Sequence, residues 1–305
     1  MTDLTTVAQI VLDDDSLEAR IAGLGPRARQ SLDEIVASIA DLEQAGTHPL
    51  PRRGARRPFG RWVNGVFTAE TAQSTNLPPE LVRFTVPDPA ALSLPEPTPE
   101  LEFGLTEALQ VRRSQRNYLN TPLPLTELGD LLHHALGRNG TEDGYGTRNM
   151  PLQPYPSIGG LDPVDIGVVV NRVEGLRPGY YHYDKVGHGL VPVLRGDLRM
   201  SLVNCTFDNE WLFYAPVVLV VVSNQDKVYW KYKTRGYRLS LLDQGAAMQN
   251  IYLVCTGLGL GCCAIAGYDD EKINQLFGYT AGDRSVSVLM TVGEPARRAA
   301  GTRRN

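Results

Sequence analysis

At 305 residues, 42% of them hydrophobic and 21% charged, the chain has the composition of a soluble globular protein, long enough for one large or two ordinary domains. A net charge of −4 argues against nucleic acid as its main partner, and the acidic opening MTDLTTVAQIVLDDDS lacks the basic-then-apolar pattern of a secretory signal, which points to the cytoplasm. The four cysteines (Cys205, Cys255, Cys262, Cys263) form no C-x-x-C, so neither zinc site nor disulfide framework is expected, and the longest apolar run is broken by glycine, against a membrane span.

Residues 1–100 read as an accessory region. A helical pattern over Ala28–Ala45 (Leu32, Ile35, Val36, Ile39, Leu42) leads into a basic connector with Arg52, Arg53, Arg56, Arg57 and Arg61. The prolines of PDPAALSLPEPTPELEF, Pro87 to Pro99, then rule out a continuous helix and leave an extended arm. Residues 101–305 carry the regular patterns. Leu105–Arg113 reads as a helix, ended by Arg112-Arg113-Ser114-Gln115-Arg116-Asn117-Tyr118. Guanidiniums flanking a hydroxyl suit a phosphate dianion, although basic residues after a helix also complement its negative end.

Thr126–Gly137 reads as an amphipathic helix with Leu128, Leu131, Leu132 and Ala135 inside, Thr126 as its cap and Gly137 as its stop. His133 and His134 lie at its end with no carboxylate or cysteine at ligand spacing, and no metal is assigned. Pro154–Asp165 (PYPSIGGLDPVD) is a loop in which Pro156, Ser157, Gly159 and Gly160 let the main chain approach a flat ligand, or simply make a tight turn. Strands follow at Ile166–Val170, in a hairpin from Gly179 past Leu190, and at Ala215–Val222, apolar on both faces.

The stretch Tyr229–Gly278 opens on Lys231, Tyr232, Lys233, Arg235, Tyr237 and Arg238, either a reactive cluster or a lysine-guarded strand edge. A helix over Leu239–Leu258 comes next, its second half expected to bury Gln249 and Asn250. Cys262–Asp269 reads as a turn of small residues, and Ser285–Val292 as a last strand.

Lys231-Tyr232, Arg235-Gly236-Tyr237-Arg238, Asp243-Gln244-Gly245, Asn250 and Gly257-Leu258-Gly259, together with R-x-S-x-R at Arg112–Arg116 and P-S-x-G-G at Pro156–Gly160, give the chain a pattern that resembles the SagB-type dehydrogenases of the FMN-dependent nitroreductase superfamily. The resemblance covers about two thirds of the chain. It implies an α+β fold, a mixed sheet wrapped by helices, and a homodimer with flavin at the subunit interface. It further implies FMN held by Arg112, Arg113, Ser114 and Arg116 at the phosphate, by Pro156, Ser157, Gly159 and Gly160 against the ring, and by Asn250, Ala266 and Gly267. Lys231 is then the base and Tyr232 its orienting or proton-sharing partner in oxidation of a thiazoline or oxazoline within a peptide, beside a cyclodehydratase or other modifying enzyme. Asp162 and Asp165 stand where the family usually has Tyr and Glu, and Ala246 where it often has His. An NAD(P)H-dependent nitro or quinone reductase and a catalytically silent peptide-binding scaffold are the alternatives.

Overall fold

The computed structural model describes residues 81, 87–232, 235–279 and 284–296. The chain divides at Gln73/Ser74 into two units, and every described residue belongs to the second. The expected helix over Ala28–Ala45, the basic connector and Lys233 lie outside the described residues.

Seven strands form one sheet in the order β1-β6-β5-β4-β7-β9-β8. They are β1 (Leu92–Ser93), β4 (Val164–Val170), β5 (Gly179–Asp184), β6 (Gly189–Arg195), β7 (Val217–Asn224), β8 (Gly261–Ile265) and β9 (Arg284–Gly293). A separate hairpin pairs β2 (Gly140–Gly144) with β3 (Thr147–Leu152). The helices are α1 (Leu105–Val111), α2 (Leu125–Leu136), α3 (Arg199–Cys205), α4 (Asp226–Tyr232), α5 (Arg235–Gly257) and α6 (Asp270–Phe277).

β4 and β7 are buried along their whole length, as the valine-rich runs at Val168–Val170 and Val217–Val222 suit strands covered on both faces. Strand alternation divides their side chains. Val164, Ile166, Val168, Val217, Leu219 and Val221 pack with α2 and α5 in one core layer, whereas Val169, Val218, Val220 and Val222 pack with α3 and α6 in the other. The α+β expectation is therefore met, with one refinement. Every ladder of the large sheet is antiparallel, and parallel pairing enters only at isolated bridges such as Ser114 with Cys262.

Three local readings change. α2 begins at Leu125 with Pro124 as its N-cap, still extended at ψ 138°, so Thr126 lies inside the helix rather than capping it. Cys262–Ile265 is an edge strand rather than part of a turn, since α5 stops at Gly257 and Gly259, at φ +73°, reverses the chain onto β9. Gln249 is exposed rather than buried, because the half of α5 that contacts sheet and α2 holds Ala247, Ile251 and Cys255 instead. Among the described residues no helix is long and apolar enough to cross a membrane.

Candidate functional site

Two clusters of predicted site residues form on the two sides of α5. The first lies where the run after α1 meets β8. Gln115 N donates to Cys262 O at 2.9 Å, and Ser114 bridges Cys262, so the run lies extended along the sheet edge. Side chains alternate along such a run, which sets Arg112, Ser114 and Arg116 to one side and Arg113 to the other. Arg113 turns back, its Nη1 donating to the carbonyls of Gln110 (3.0 Å) and Arg112 (2.7 Å), and so closes the end of α1. Arg113 thus takes the helix-end role that the sequence also offered for these arginines.

Tyr252, on α5, ties this segment to β8. Its hydroxyl lies 3.2 Å from Ser114 Oγ and accepts from Ala264 N at 2.7 Å, while the Arg112 guanidinium stands 5.1 Å from its ring centroid. Arg116 faces the Trp211 ring at 5.7 Å. Just past β8, Ala266 and Gly267 are exposed, and a Cβ added to Gly267 would meet nothing within 4 Å. Two forked cations and a hydroxyl on one side of a strand, beside a bare stretch of main chain, are a donor set that fits the phosphate and ring edge of FMN. Asn250 is more remote, its Nδ2 reaching Ala135 O at 3.4 Å.

The second cluster surrounds the loop before β4. Asp243 of α5, only 2% exposed, accepts from Ser157 Oγ at 2.9 Å and from Ile158 N at 3.0 and 3.2 Å. Burial pushes its carboxyl up to about 6, against the lowering effect of those donors. Ser157 Oγ in turn accepts from Asp162 N at 2.8 Å. The loop then passes through Gly159 at φ +66°, where a Cβ would stand 2.5 Å from Tyr232 Oη and 3.0 Å from Tyr145 Oη. Only glycine meets both demands.

Lys231 and Tyr232 come from the last turn of α4, so their cluster is helical rather than a strand edge. Lys231 Nζ lies 4.1 Å from the Tyr145 ring centroid and 5.3 Å from that of Tyr232, and it donates to Tyr145 Oη. Burial raises the Tyr232 phenol above its ordinary value, partly offset by the Lys231 cation. Tyr145, unremarked in the sequence, donates to Gly159 O at 2.6 Å and packs edge-on against Trp230 at 5.4 Å.

The two acids that replace the family's Tyr and Glu are held by lysines. Asp162 meets Lys185 at 2.9 Å and accepts from Tyr155 Oη at 2.6 Å. Asp165 meets Lys227 at 2.9 Å and accepts from Asn224 Nδ2 at 2.8 Å. Burial pushes Asp165 up, but Lys227, His182 and Arg284 hold it well below the usual carboxylate range. These acids brace the base of the loop.

Asp243 and Tyr252 are nine residues apart, which on a helix is half a turn out of phase and about 13 Å along the axis. The Arg112–Arg116 segment and the Lys231–Gly159 cluster therefore look out from opposite faces of α5.

Comparison with known proteins places the fold. Residues 109–294 match the model of the nitroreductase family. A protein of Methanocaldococcus jannaschii named as a nitroreductase is 32% identical over 175 residues, 57% of this chain and 84% of the relative. The microcin B17-processing protein McbC of Escherichia coli is 31% identical over 126 residues, 40% of this chain but 46% of McbC, so the alignment spans less than half of that relative. The solved E. coli microcin synthetase McbBCD complex, with truncated pro-MccB17 bound, shares the fold at a TM-score of 0.52 and 21% identity, covering 87% of this chain and 94% of the matched one. With its sheet, its helices and more than half of its length matched, the chain belongs to the nitroreductase family.

Proposed function

We propose that the protein is an FMN-dependent dehydrogenase that converts thiazoline or oxazoline rings of a peptide to thiazole or oxazole. The observation that carries this reading is the meeting of Lys231, Tyr232 and Gly159 in one cluster, an amine and a phenol against a bare main-chain loop. The similarity to a microcin B17-processing protein supports it.

In this reading Arg112, Ser114 and Arg116 hold the FMN phosphate, and Ala266 and Gly267 face the ring edge. FMN, when bound, supplies the two-electron acceptor. Lys231 Nζ takes the proton from the ring carbon next to nitrogen, with Tyr232 Oη orienting the ring or sharing that proton. Gly159, with no side chain, leaves room for the substrate ring to lie flat on the loop. Because the two clusters face away from each other across α5, a second copy of the chain supplies one cluster with the other, which is the basis for a homodimer. A cyclodehydratase that makes the azoline is the expected working partner, as McbC is found in a complex with McbB and McbD.

A second reading, an NAD(P)H-dependent reductase of nitro or quinone compounds, has its own support in the M. jannaschii relative, which this chain matches over 84% of its length. The two separate on Lys231. Lys231→Ala is expected to keep its fold and its flavin while losing azole formation by more than ~10²-fold, and Lys231→Arg to fail as well, because a guanidinium stays protonated. The measurement is conversion of an azoline peptide by wild type and variants, with flavin content read from absorbance. Equal rates would remove Lys231 from the mechanism. Absence of turnover by wild type across a range of azoline peptides, with NAD(P)H oxidation intact, would favour the reductase.

A further inference from the structure

The β2–β3 hairpin belongs to no other sheet, yet its tip lies in the second cluster. Gly144 pairs with Thr147, leaving Tyr145 and Gly146 as a two-residue turn with φ of +51° and +71°. Both signs are those of the hairpin turn whose twist matches its strands. The left-handed backbone at Tyr145, unusual for an aromatic residue, aims the ring at the site instead of along the hairpin. Three groups then meet that ring. Lys231 donates to its hydroxyl and stands over its face, Gly159 O accepts from its hydroxyl, and Trp230 packs edge-on against it.

We propose that Tyr145 is a positioning residue for Lys231. Its hydroxyl receives the lysine amine and is itself fixed by the loop carbonyl, so amine and loop keep one relative placement while a substrate ring enters between them. The proposal rests on Lys231 being the group that takes the proton. A lysine with four rotatable bonds holds a single direction only through its contacts, here the rings of Tyr145 and Tyr232, a side-chain hydrogen bond with Tyr232 and the Tyr145 hydroxyl, which alone among them is also tied to the loop carbonyl. Misplacement of a reacting group by about 1 Å costs on the order of 10²-fold in rate. The effect of losing the hydroxyl therefore belongs in turnover rather than in substrate affinity.

The test uses the full-length flavin-loaded protein with Tyr145→Phe, which keeps both ring contacts and loses only the oxygen, and with Tyr145→Ala. Two readouts are taken. In azoline oxidation, Tyr145→Phe is expected to lower kcat by about tenfold or more with KM within about threefold of wild type and flavin content unchanged. In brief acetylation with an N-hydroxysuccinimide ester, followed by peptide mass spectrometry, Lys231 of Tyr145→Phe is expected to react at least about threefold faster relative to Lys272 than in wild type, since its amine has lost an acceptor; Lys272 is an exposed standard on α6. Unchanged kcat together with an unchanged Lys231 to Lys272 ratio would overturn the proposal, as would a rise in KM with kcat intact. If wild type oxidises no azoline, the functional reading falls, and the acetylation ratio alone still decides whether Tyr145 holds Lys231.

Discussion

Asp243 carries its negative charge against the pull of its surroundings. Burial favours the protonated form, with Asp162 adding to that effect and Lys185, Ser157 and Ile158 opposing it, and the balance lies at about 6, above the ordinary carboxylate value. A carboxyl raised in the folded state binds its proton more tightly there than when unfolded. Its contribution to stability is therefore present at low pH and is lost as pH rises through about 6. At neutral pH the protein accepts that loss and keeps an acceptor for three hydrogen-bond contacts from the loop. Urea midpoints of wild type and Asp243→Asn at pH 5 and pH 7.5 check this. Wild type should lose stability relative to the variant between the two pH values; parallel profiles would show that the carboxyl is not perturbed. Azoline oxidation by wild type should in turn fall more steeply than that by Asp243→Asn as pH drops below about 6, since the loop then loses its charged acceptor in addition to the protonation of Lys231 that both proteins share.

At the scale of single elements, the extended run from Arg112 to Arg116 matters more than α1 before it. Because alternation sets Arg113 apart, Arg112→Ala combined with Arg116→Ala should give a folded protein with little FMN. A charge-assisted hydrogen bond contributes about 1.5–3 kcal/mol, so losing two weakens binding by roughly 10²- to 10⁴-fold. Arg113→Ala should keep its flavin and lose only a few tenths of a kcal/mol at the end of α1. Retention of stoichiometric FMN by the double variant would move the phosphate elsewhere. The sequence showed these elements unevenly, for physical reasons. Valine runs and 3.6-residue spacing marked β4, β7, α2 and α5, because burial on two faces or on one stripe constrains composition strongly. Lys231, Tyr232 and the Pro156–Gly160 loop were also visible, through residue type. The β2–β3 hairpin was not, since GTEDG and TRNMPL show little of the alternation of a half-buried strand. Only the Gly-Tyr-Gly of its turn pointed to it, and so Tyr145 passed unremarked. Tyr252 looked like one more apolar residue of α5, because its role depends on a hydroxyl meeting Ser114, 138 positions earlier.

At the scale of the whole molecule, the arm before α1 is fastened to the sheet rather than trailing from it. Leu92 and Ser93 pair with Leu190 and Gly189, Asp88 N donates to Asp184 at 2.8 Å, and Thr98 donates twice to Asp130 at 2.7 Å. A chain beginning at Ser74 should therefore keep its fold and its flavin, and any loss of peptide or partner binding would assign that role to the preceding residues. A chain beginning at Pro99 leaves Asp130 and Asp184 without these donors and bares the edge of β6. With hydrogen bonds to charged groups contributing about 1.5–3 kcal/mol each, the loss of three should lower its Tm by roughly 10 °C or more. Equal melting temperatures for the two chains, measured by calorimetry, would show that the arm is not part of the fold. The antiparallel sheet has a consequence for how the protein is made. The Arg112–Arg116 segment is closed by residues far along the chain: just after it Tyr118 meets Thr291 and Thr121 meets Glu294, each across 173 positions, and Leu119 N donates to Glu294 O. At about 5–20 residues per second of synthesis, the arginines leave the ribosome some 10–30 s before the residues that complete their seat. The segment is therefore completed only once β9 and Glu294 have been made, and a nascent chain stalled before β9 lacks those partners.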